Sequence, residues 1–164
     1  MRLFVAVLLP EEVRERLAVA QERLRRADAD VSWVRPGNVH ITLKFLGETD
    51  EKQLNRVRTA LAESVLLVGA FSVELAGLGT FGGRTPRVVW AGVRDGVEPL
   101  TGLAGTVEEA LARVGVPRER RPFAAHFTLG RVRSARNLRE LESAIRAEPA
   151  DGFGTVWVDA ACLM

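Results

Sequence analysis

Apolar residues recur at helical spacing in four segments of this chain of 164 residues. In the first segment, 11–26, the stripe consists of Val13, Leu17, Ala20 and Leu24. Side chains three or four positions apart share one face of a helix, so this stripe predicts an amphipathic helix. Comparable stripes predict three more helices, which lie after Asp50, over 98–114 and after Asn137.

The residues that precede two of these stripes are typical of helix starts. Asp50 is followed three positions later by Gln53, and Asn137 is followed by Glu140. An Asp or Asn side chain at this point accepts hydrogen bonds from the free backbone N–H groups of the first helical turn. We therefore expect Asp50 and Asn137 to cap the second and fourth helices.

Runs of residues with extended character separate the predicted helices. They span 2–9, 31–34, 39–46, 71–79, 87–94, 125–133 and 153–160. Each half of the chain then contains strands, a helix, a strand with a histidine and a second helix. We expect an α+β fold in which two similar lobes of antiparallel sheet and helices are related by a pseudo-two-fold axis. Residues 1–164 are expected to form one domain, because an apolar fraction of 47% over this length suits a single core.

The chain has only two histidines, and each precedes a threonine by two positions. His40 and Thr42 lie in one predicted strand, and His126 and Thr128 lie in another. Because alternate side chains of a strand share a face, each histidine is expected to project beside its threonine. Histidine exchanges protons near neutral pH, so two such strands side by side would supply an acid and a base around one substrate. A single pair would more often be structural, but its repetition favours catalysis.

The opposite face of both motif strands is apolar. It carries Ile41, Leu43 and Phe45 in the first strand and Phe127 and Leu129 in the second, and we expect it to cover the core. Aromatic side chains in or beside strands are usually buried, and the same is predicted for three others near the motifs. These are Trp33, Phe81 and Phe123, of which Phe123 is the best placed to stack on a nucleobase.

Positive charge is concentrated around the second histidine. The net charge is only +2, yet the stretch from Arg113 to Arg136 holds seven arginines and a single acid, Glu119. Arginine suits phosphate because its planar set of donors matches the phosphate oxygens. This stretch favours a phosphate-bearing ligand such as a nucleic acid, with an ordinary solvated charge run as the alternative.

The composition argues against several other classes of protein. No apolar run is long enough to cross a membrane. The apolar start, Arg2 to Leu9, is followed by Pro10 rather than by a cleavage site, so we interpret it as a buried strand and expect a cytoplasmic protein. Cys162 is the only cysteine, which leaves no internal disulfide. Because one cysteine and two separated histidines do not suffice for a zinc site, the chemistry is expected to need no metal and no other cofactor.

Several blocks of sequence, spread over most of the chain, match a known family. They are Arg2–Ala6 with Leu9 and Pro10, Trp33 with Val34, Asn38–Gly47, Gly77–Phe81, Pro86–Trp90, Arg121–Phe123 and His126–Arg131. With these blocks the chain resembles the two-histidine (2H) phosphoesterases, and within them the RNA 2′,3′-cyclic phosphodiesterases, also called 2′-5′ RNA ligases. Family members often have Pro where this chain has Ala125 and Ala where it has Gly130, and they usually continue with a final strand beyond the equivalent of Met164.

The resemblance implies the bilobal 2H phosphoesterase fold, with the active-site groove between the lobes. It implies a hydrolase that opens 2′,3′-cyclic phosphate ends of RNA, such as those of tRNA fragments, to 2′-phosphomonoesters. His40 would donate a proton to the leaving 3′-oxygen and His126 would accept one from water, although the residues alone do not order the two roles. Thr42 and Thr128 would donate hydrogen bonds to phosphate oxygens, and Arg131 is a further candidate for a phosphate contact.

Several alternatives stay open at this point. The same site run backwards joins a cyclic phosphate to a 5′-hydroxyl, as a 2′-5′ RNA ligase. The substrate could instead be a small nucleotide, such as a cyclic phosphate of ADP-ribose or a 2′-5′ oligoadenylate. The chain could also be a non-catalytic module that binds RNA or a nucleotide, although binding alone does not require two titratable groups. Nothing in the sequence requires a dimer, so we expect a monomer.

Overall fold

The computed structural model describes residues 1–164 as four α-helices, eight strands and a short 3-10 turn at Pro36–Asn38. The strands are β1 (Arg2–Leu8), β2 (Val31–Trp33), β3 (His40–Glu48), β4 (Phe71–Phe81), β5 (Val88–Asp95), β6 (His126–Val132), β7 (Gly154–Val158) and β8 (Cys162–Leu163). The helices are α1 (Glu11–Arg25), α2 (Glu51–Val65), α3 (Val97–Arg113) and α4 (Leu138–Ala147). None of these helices combines the length and the apolar character that a membrane crossing needs. The predicted α+β class is confirmed, and only β8 lacks a counterpart among the predicted elements.

The strands form two antiparallel sheets that meet at the motif strands. One sheet has three strands in the order β3-β1-β8, and the other has five in the order β2-β6-β5-β4-β7. His40 therefore begins an edge strand of the first sheet, whereas His126 begins a strand flanked on both sides in the second. Since β3 and β6 contact each other, the two motifs come from different sheets but lie close together.

The two sheets do not coincide with the two halves of the chain. β2 comes from the first half but pairs with β6, while β8 closes the chain and pairs with β1. The helices also pack across the two halves. Helix α1 of the first half packs against α4 and β7 of the second, and α3 of the second half packs against α2 and β3 of the first. The two lobes are thus present but unequal, and each is built from both halves of the sequence.

A single buried cluster of 28 residues joins the two sheets. It includes Ile41 of β3 and Leu129 of β6, both fully buried. The predicted stripe of α1 is buried as well, with every member at most 2% exposed. The apolar faces of both motif strands thus belong to one continuous core, and their polar faces are held in a fixed relation to each other.

The two predicted helix caps have different outcomes. Asp50 accepts a hydrogen bond from the backbone N–H of Gln53 at 2.8 Å, as predicted. The Gln53 side chain donates to the carbonyl of Val114 at 2.9 Å and so ties α2 to the end of α3. Asn137 does stand at the N-cap position of α4, but its backbone is left-handed, with φ of 53°, and its side chain makes no capping hydrogen bond, so the predicted side-chain cap is wrong. Its side chain donates instead to the carbonyl of Asp28 at 3.0 Å.

β3 departs from the regular alternation of faces that its sequence predicts. Its pairing with β1 skips Leu43 between Thr42 and Lys44, and an extra residue of this kind interrupts the alternation. Leu43 and Lys44 are both buried, whereas Phe45 is 65% exposed. The prediction that Phe45 belongs to the core is therefore wrong.

Candidate active site

Both motif strands border one open cavity of about 730 Å³. His40, Thr42, His126, Thr128 and Arg131 all line it. The five residues that the sequence assigned to one site are thus brought together, although the two motifs lie far apart along the chain. A cavity of this size falls within the range of small-molecule sites, about 300–1,000 Å³, and is large enough for a nucleotide.

The ring of His40 is held by an aromatic neighbour and by the turn that precedes it. It stacks on Phe4 of β1, with 4.7 Å between the ring centroids and an angle of 14° between the planes. Partial burial lowers the pKa of His40, and a hydrogen bond with the backbone of Asn38 acts against this by favouring the protonated ring. Because Asn38 ends the 3-10 turn immediately before β3, the local backbone supplies this interaction.

His126 lies in more strongly aromatic surroundings. Its ring centroid is 4.0 Å from that of Trp90 and 5.2 Å from that of Phe81, which approaches with its edge. Nδ1 of His126 is buried and has no hydrogen-bond partner. Burial lowers the pKa of His126, and no hydrogen bond acts against it. Burial thus favours the neutral form of both rings.

A missing side chain makes room for Trp90 beside His126. Gly79 of β4 is paired with Trp90 of β5, and a Cβ atom placed on Gly79 would collide with the indole ring. The glycine thus lets the indole lie across β4 while it also contacts the histidine. Sequence reasoning had not assigned Gly79 or Trp90 to the site, because nothing in the sequence says which strands are neighbours.

The basic stretch near His126 does not act as one surface. Arg120, Arg121 and Arg131 line the cavity, whereas Arg118 and Arg136 form ion pairs with acidic residues outside it. Only part of the predicted positive charge is therefore available to a ligand. That part lies next to both His-Thr pairs, where it would attract a phosphate group.

The aromatic residues near the motifs are divided between core and cavity. Trp33 and Phe123 are partly buried and pack against the core, as predicted, and Phe123 also lines the cavity. Phe81 is 46% exposed, so its predicted burial is wrong. The exposed Phe45 lies at the cavity too, which places two aromatic rings where a nucleobase could stack.

No group of three or more histidine, cysteine, aspartate or glutamate side chains is arranged to hold a metal ion. The expectation that the chemistry needs no metal stays a prediction, and activity in the presence of a chelator tests it.

Comparisons with known proteins point to one class. A family model described as "LigT like Phosphoesterase" matches residues 7–90, which include the first motif. An RNA 2′,3′-cyclic phosphodiesterase of Archaeoglobus fulgidus is 38% identical over 96% of this chain and 86% of its own length, so this match extends over the second motif as well.

Solved structures agree over nearly the whole chain. The protein TT0787 of Thermus thermophilus superimposes with a TM-score of 0.80 and 31% identity, over 99% of this chain and 87% of its own. E. coli LigT complexed with 3′-AMP gives a TM-score of 0.78 and 29% identity, over 99% and 86%. The two sheets with their paired His-Thr strands therefore define a two-histidine phosphoesterase fold. Within this class, the chain belongs to the family of LigT-like phosphoesterases.

Proposed function

We propose that this protein is an RNA 2′,3′-cyclic phosphodiesterase, which hydrolyses cyclic phosphate ends to 2′-phosphomonoesters. The observation that carries this proposal is the convergence of two His-Thr pairs and Arg131 on one cavity. Three relatives at 32–38% identity bear the name RNA 2′,3′-cyclic phosphodiesterase, which supports the choice of substrate. The reaction requires an acid, a base and donors to the phosphate oxygens, and the cavity offers all of them.

In the proposed reaction, water attacks phosphorus while the bond from phosphorus to the 3′-oxygen breaks. His126 accepts a proton from the water, and His40 donates a proton to the departing 3′-oxygen. This order of roles is the one that the resemblance to the family implies. Burial is the largest influence on both rings and lowers both pKa values, with the backbone of Asn38 acting against it at His40.

The remaining site residues are proposed to stabilise charge on the phosphate. Thr42 and Thr128 would donate hydrogen bonds to the two non-bridging oxygens, where negative charge increases in the transition state. Arg131 would add a charge-assisted contact to the same group. Each threonine follows its histidine by two positions. One strand would therefore place a proton-transfer group beside a group that donates a hydrogen bond to the phosphate.

The decisive experiment measures hydrolysis of adenosine 2′,3′-cyclic phosphate and of a short RNA that ends in a cyclic phosphate, with a chelator present. A 2′-phosphate product is expected, and each of His40→Ala and His126→Ala should lower kcat roughly 10²- to 10⁴-fold. Circular dichroism of both variants checks that they fold. Failure of the folded protein to hydrolyse either substrate, or full activity in the double variant, would contradict the proposal and favour a binding module.

A small nucleotide is the second candidate substrate, because E. coli LigT has been crystallised with 3′-AMP, NADP+ and ATP. The two candidates differ in how binding responds to salt. The affinity for an RNA strand should fall steeply with salt, because several phosphates release counterions, whereas that for a mononucleotide should fall little. The same assay, supplied with a 5′-hydroxyl RNA, detects 2′-5′ ligation, and hydrolysis is expected to dominate because water is in large excess.

The proposed enzyme is a monomer in which the whole chain acts as one domain. Both His-Thr pairs that line the cavity come from a single copy of the chain, so no second copy is required to complete the site. Light scattering during gel filtration should give a mass near 18.0 kDa. A mass twice as large would contradict the monomer.

A further inference from the structure

A buried ion pair lies in the wall of the cavity. Lys44 follows Thr42 by two positions in β3, and its side chain is only 1% exposed. Its ammonium group lies 2.9 Å from the carboxylate of Glu108 on α3 and donates to the carbonyl of Pro117 at 2.7 Å. A buried charge without a partner is costly, so this Lys44–Glu108 pair is what allows a lysine at such a position.

The Lys44 ammonium group is closed off from a substrate, because the side chain is only 1% exposed. Two of its three N–H donors bind the Glu108 carboxylate and the Pro117 carbonyl, and the Glu119 carboxylate lies 3.9 Å away, beyond hydrogen-bond distance. Its charge is thus neutralised, although it lies close to the His-Thr pair of β3. Its effect on the site must act through the groups that it holds.

Those groups belong to the segment that leads from α3 to β6. Residues 114–125 contain no helix and no strand, yet they carry Arg120 and Arg121, which line the cavity. Lys44 binds the Pro117 carbonyl of this segment, and Glu108 accepts a hydrogen bond from the backbone N–H of Glu119 at 2.8 Å. The pair therefore fixes the backbone immediately before the two arginines.

We propose that the Lys44–Glu108 pair is a positioning device, which holds Arg120 and Arg121 towards the cavity for an anionic strand. This inference rests on the proposed function only in taking RNA as that strand. Lys44 and His40 lie in the same strand, β3. This strand therefore fixes the position of the two arginines relative to the phosphate that reacts at His40. The Lys44–Glu108 pair sets the affinity for the part of the RNA strand that lies beyond the reacting phosphate. It leaves the rate of the chemical step unchanged.

The test compares Lys44→Met with Lys52→Met as a matched control. Lys52 is the only other lysine of the chain and is exposed in the first turn of α2. A fluorescein-labelled hexaribonucleotide that ends in a 2′-phosphate serves as the binding probe. Lys44→Met should raise its Kd about tenfold, the effect of one lost hydrogen bond to a charged group. The KM for a hexaribonucleotide with a cyclic end should rise equally, while kcat, and the KM for adenosine 2′,3′-cyclic phosphate, should stay within about twofold.

Glu108→Ala tests the same pair from its other side. The Glu108 side chain is 23% exposed, but its truncation leaves the buried Lys44 ammonium group without its carboxylate, so circular dichroism must first show that the variant folds. It should raise the Kd of the probe in the same way as Lys44→Met. Both variants should also flatten the dependence of Kd on salt, because contacts with phosphates are lost. A purely structural role would lower stability without changing that slope.

Combination with Arg120→Ala and Arg121→Ala completes the experiment. If the pair acts through the arginines, Lys44→Met should add little to their loss, and the effects should not be additive. Additive effects would overturn the proposal. So would affinities of Lys44→Met and Glu108→Ala for the probe that equal that of Lys52→Met, or a failure of the unmodified protein to bind the probe. A lack of hydrolysis by the unmodified protein would refute the proposed function alone, since the binding measurement needs no turnover.

Discussion

The two histidine rings differ in their surroundings, and the pH dependence of activity should show it. Burial lowers the pKa of both rings below the usual value of 6.5. In kcat/KM, which reports on the free enzyme, activity falls at low pH when the base is protonated and at high pH when the acid has lost its proton. Because both pKa values are lowered, the maximum of the bell should lie below pH 6.5.

A pH profile of kcat/KM with adenosine 2′,3′-cyclic phosphate checks this expectation. A maximum above pH 6.5 would contradict the lowered pKa values, and a profile that stays flat from about pH 5 to 8 would contradict the two-histidine assignment. The profile does not order the two roles, because exchange of acid and base gives the same bell.

At the same scale, the sequence predicted which residues gather at the candidate site better than it predicted their environment. His40 and His126 were found because repetition of a rare residue is visible in a sequence, and all five predicted residues line the cavity. The rings that surround them come from other strands, so neither Phe4 nor Trp90 could be assigned to a histidine. One signal was missed: Lys44 stands two positions after Thr42, as Thr42 does after His40, and a polar residue at that spacing could have been linked to the site even though the pairing of β3 is irregular at Leu43.

At the scale of elements, β4 takes part in the site through Gly79, which has no side chain. Gly79→Ala should displace the indole of Trp90 and let water reach His126. The pKa of His126 would then return towards its usual value, so the acid limb of the pH profile should move to higher pH and kcat should fall. Gly102→Ala on α3 is the control, since a Cβ there meets open space. An unchanged acid limb in Gly79→Ala would show that Trp90 does not set the environment of His126.

The start of α2 offers a test of an element far from the chemistry. Asp50→Ala removes the side-chain acceptor for the Gln53 N–H and should lower the free energy of unfolding by about 1 kcal/mol. Asp50→Asn should keep most of that stability, because asparagine caps helices about as well as aspartate does. Urea unfolding measures both, and kinetic constants should not change in either variant. Equal stability of Asp50→Ala and the unmodified protein would show that the cap contributes nothing.

Sequence patterns predicted the elements well and their local irregularities poorly. The capping signal was the same at Asp50 and Asn137, but Asn137 adopts a left-handed backbone and bonds elsewhere. In β3 the alternating pattern predicted a buried Phe45, which the irregular pairing with β1 turns outward. Both deviations depend on a partner segment distant in sequence, so a local pattern cannot contain them.

At the scale of the whole molecule, the exchange of elements between the lobes is what the sequence could not predict. The pattern of helices and strands repeats in each half and suggests that each half forms its own lobe. In the structure, β2 and β8 each pair with a strand from the other half, and α1 and α3 likewise pack against elements of the other half. A lobe therefore has no complete core without both halves of the chain.

This exchange leads us to expect that the protein unfolds in a single cooperative step. All three tryptophans lie in the five-stranded sheet, in β2, β5 and β7, so their fluorescence follows that lobe. Far-UV circular dichroism also includes α2 and α3, which pack on each other near the three-stranded sheet. Because one buried cluster joins both sheets, the two signals should give the same urea midpoint and slope. A circular-dichroism transition that precedes the change in fluorescence would show that the lobes unfold separately and would contradict the single-domain prediction.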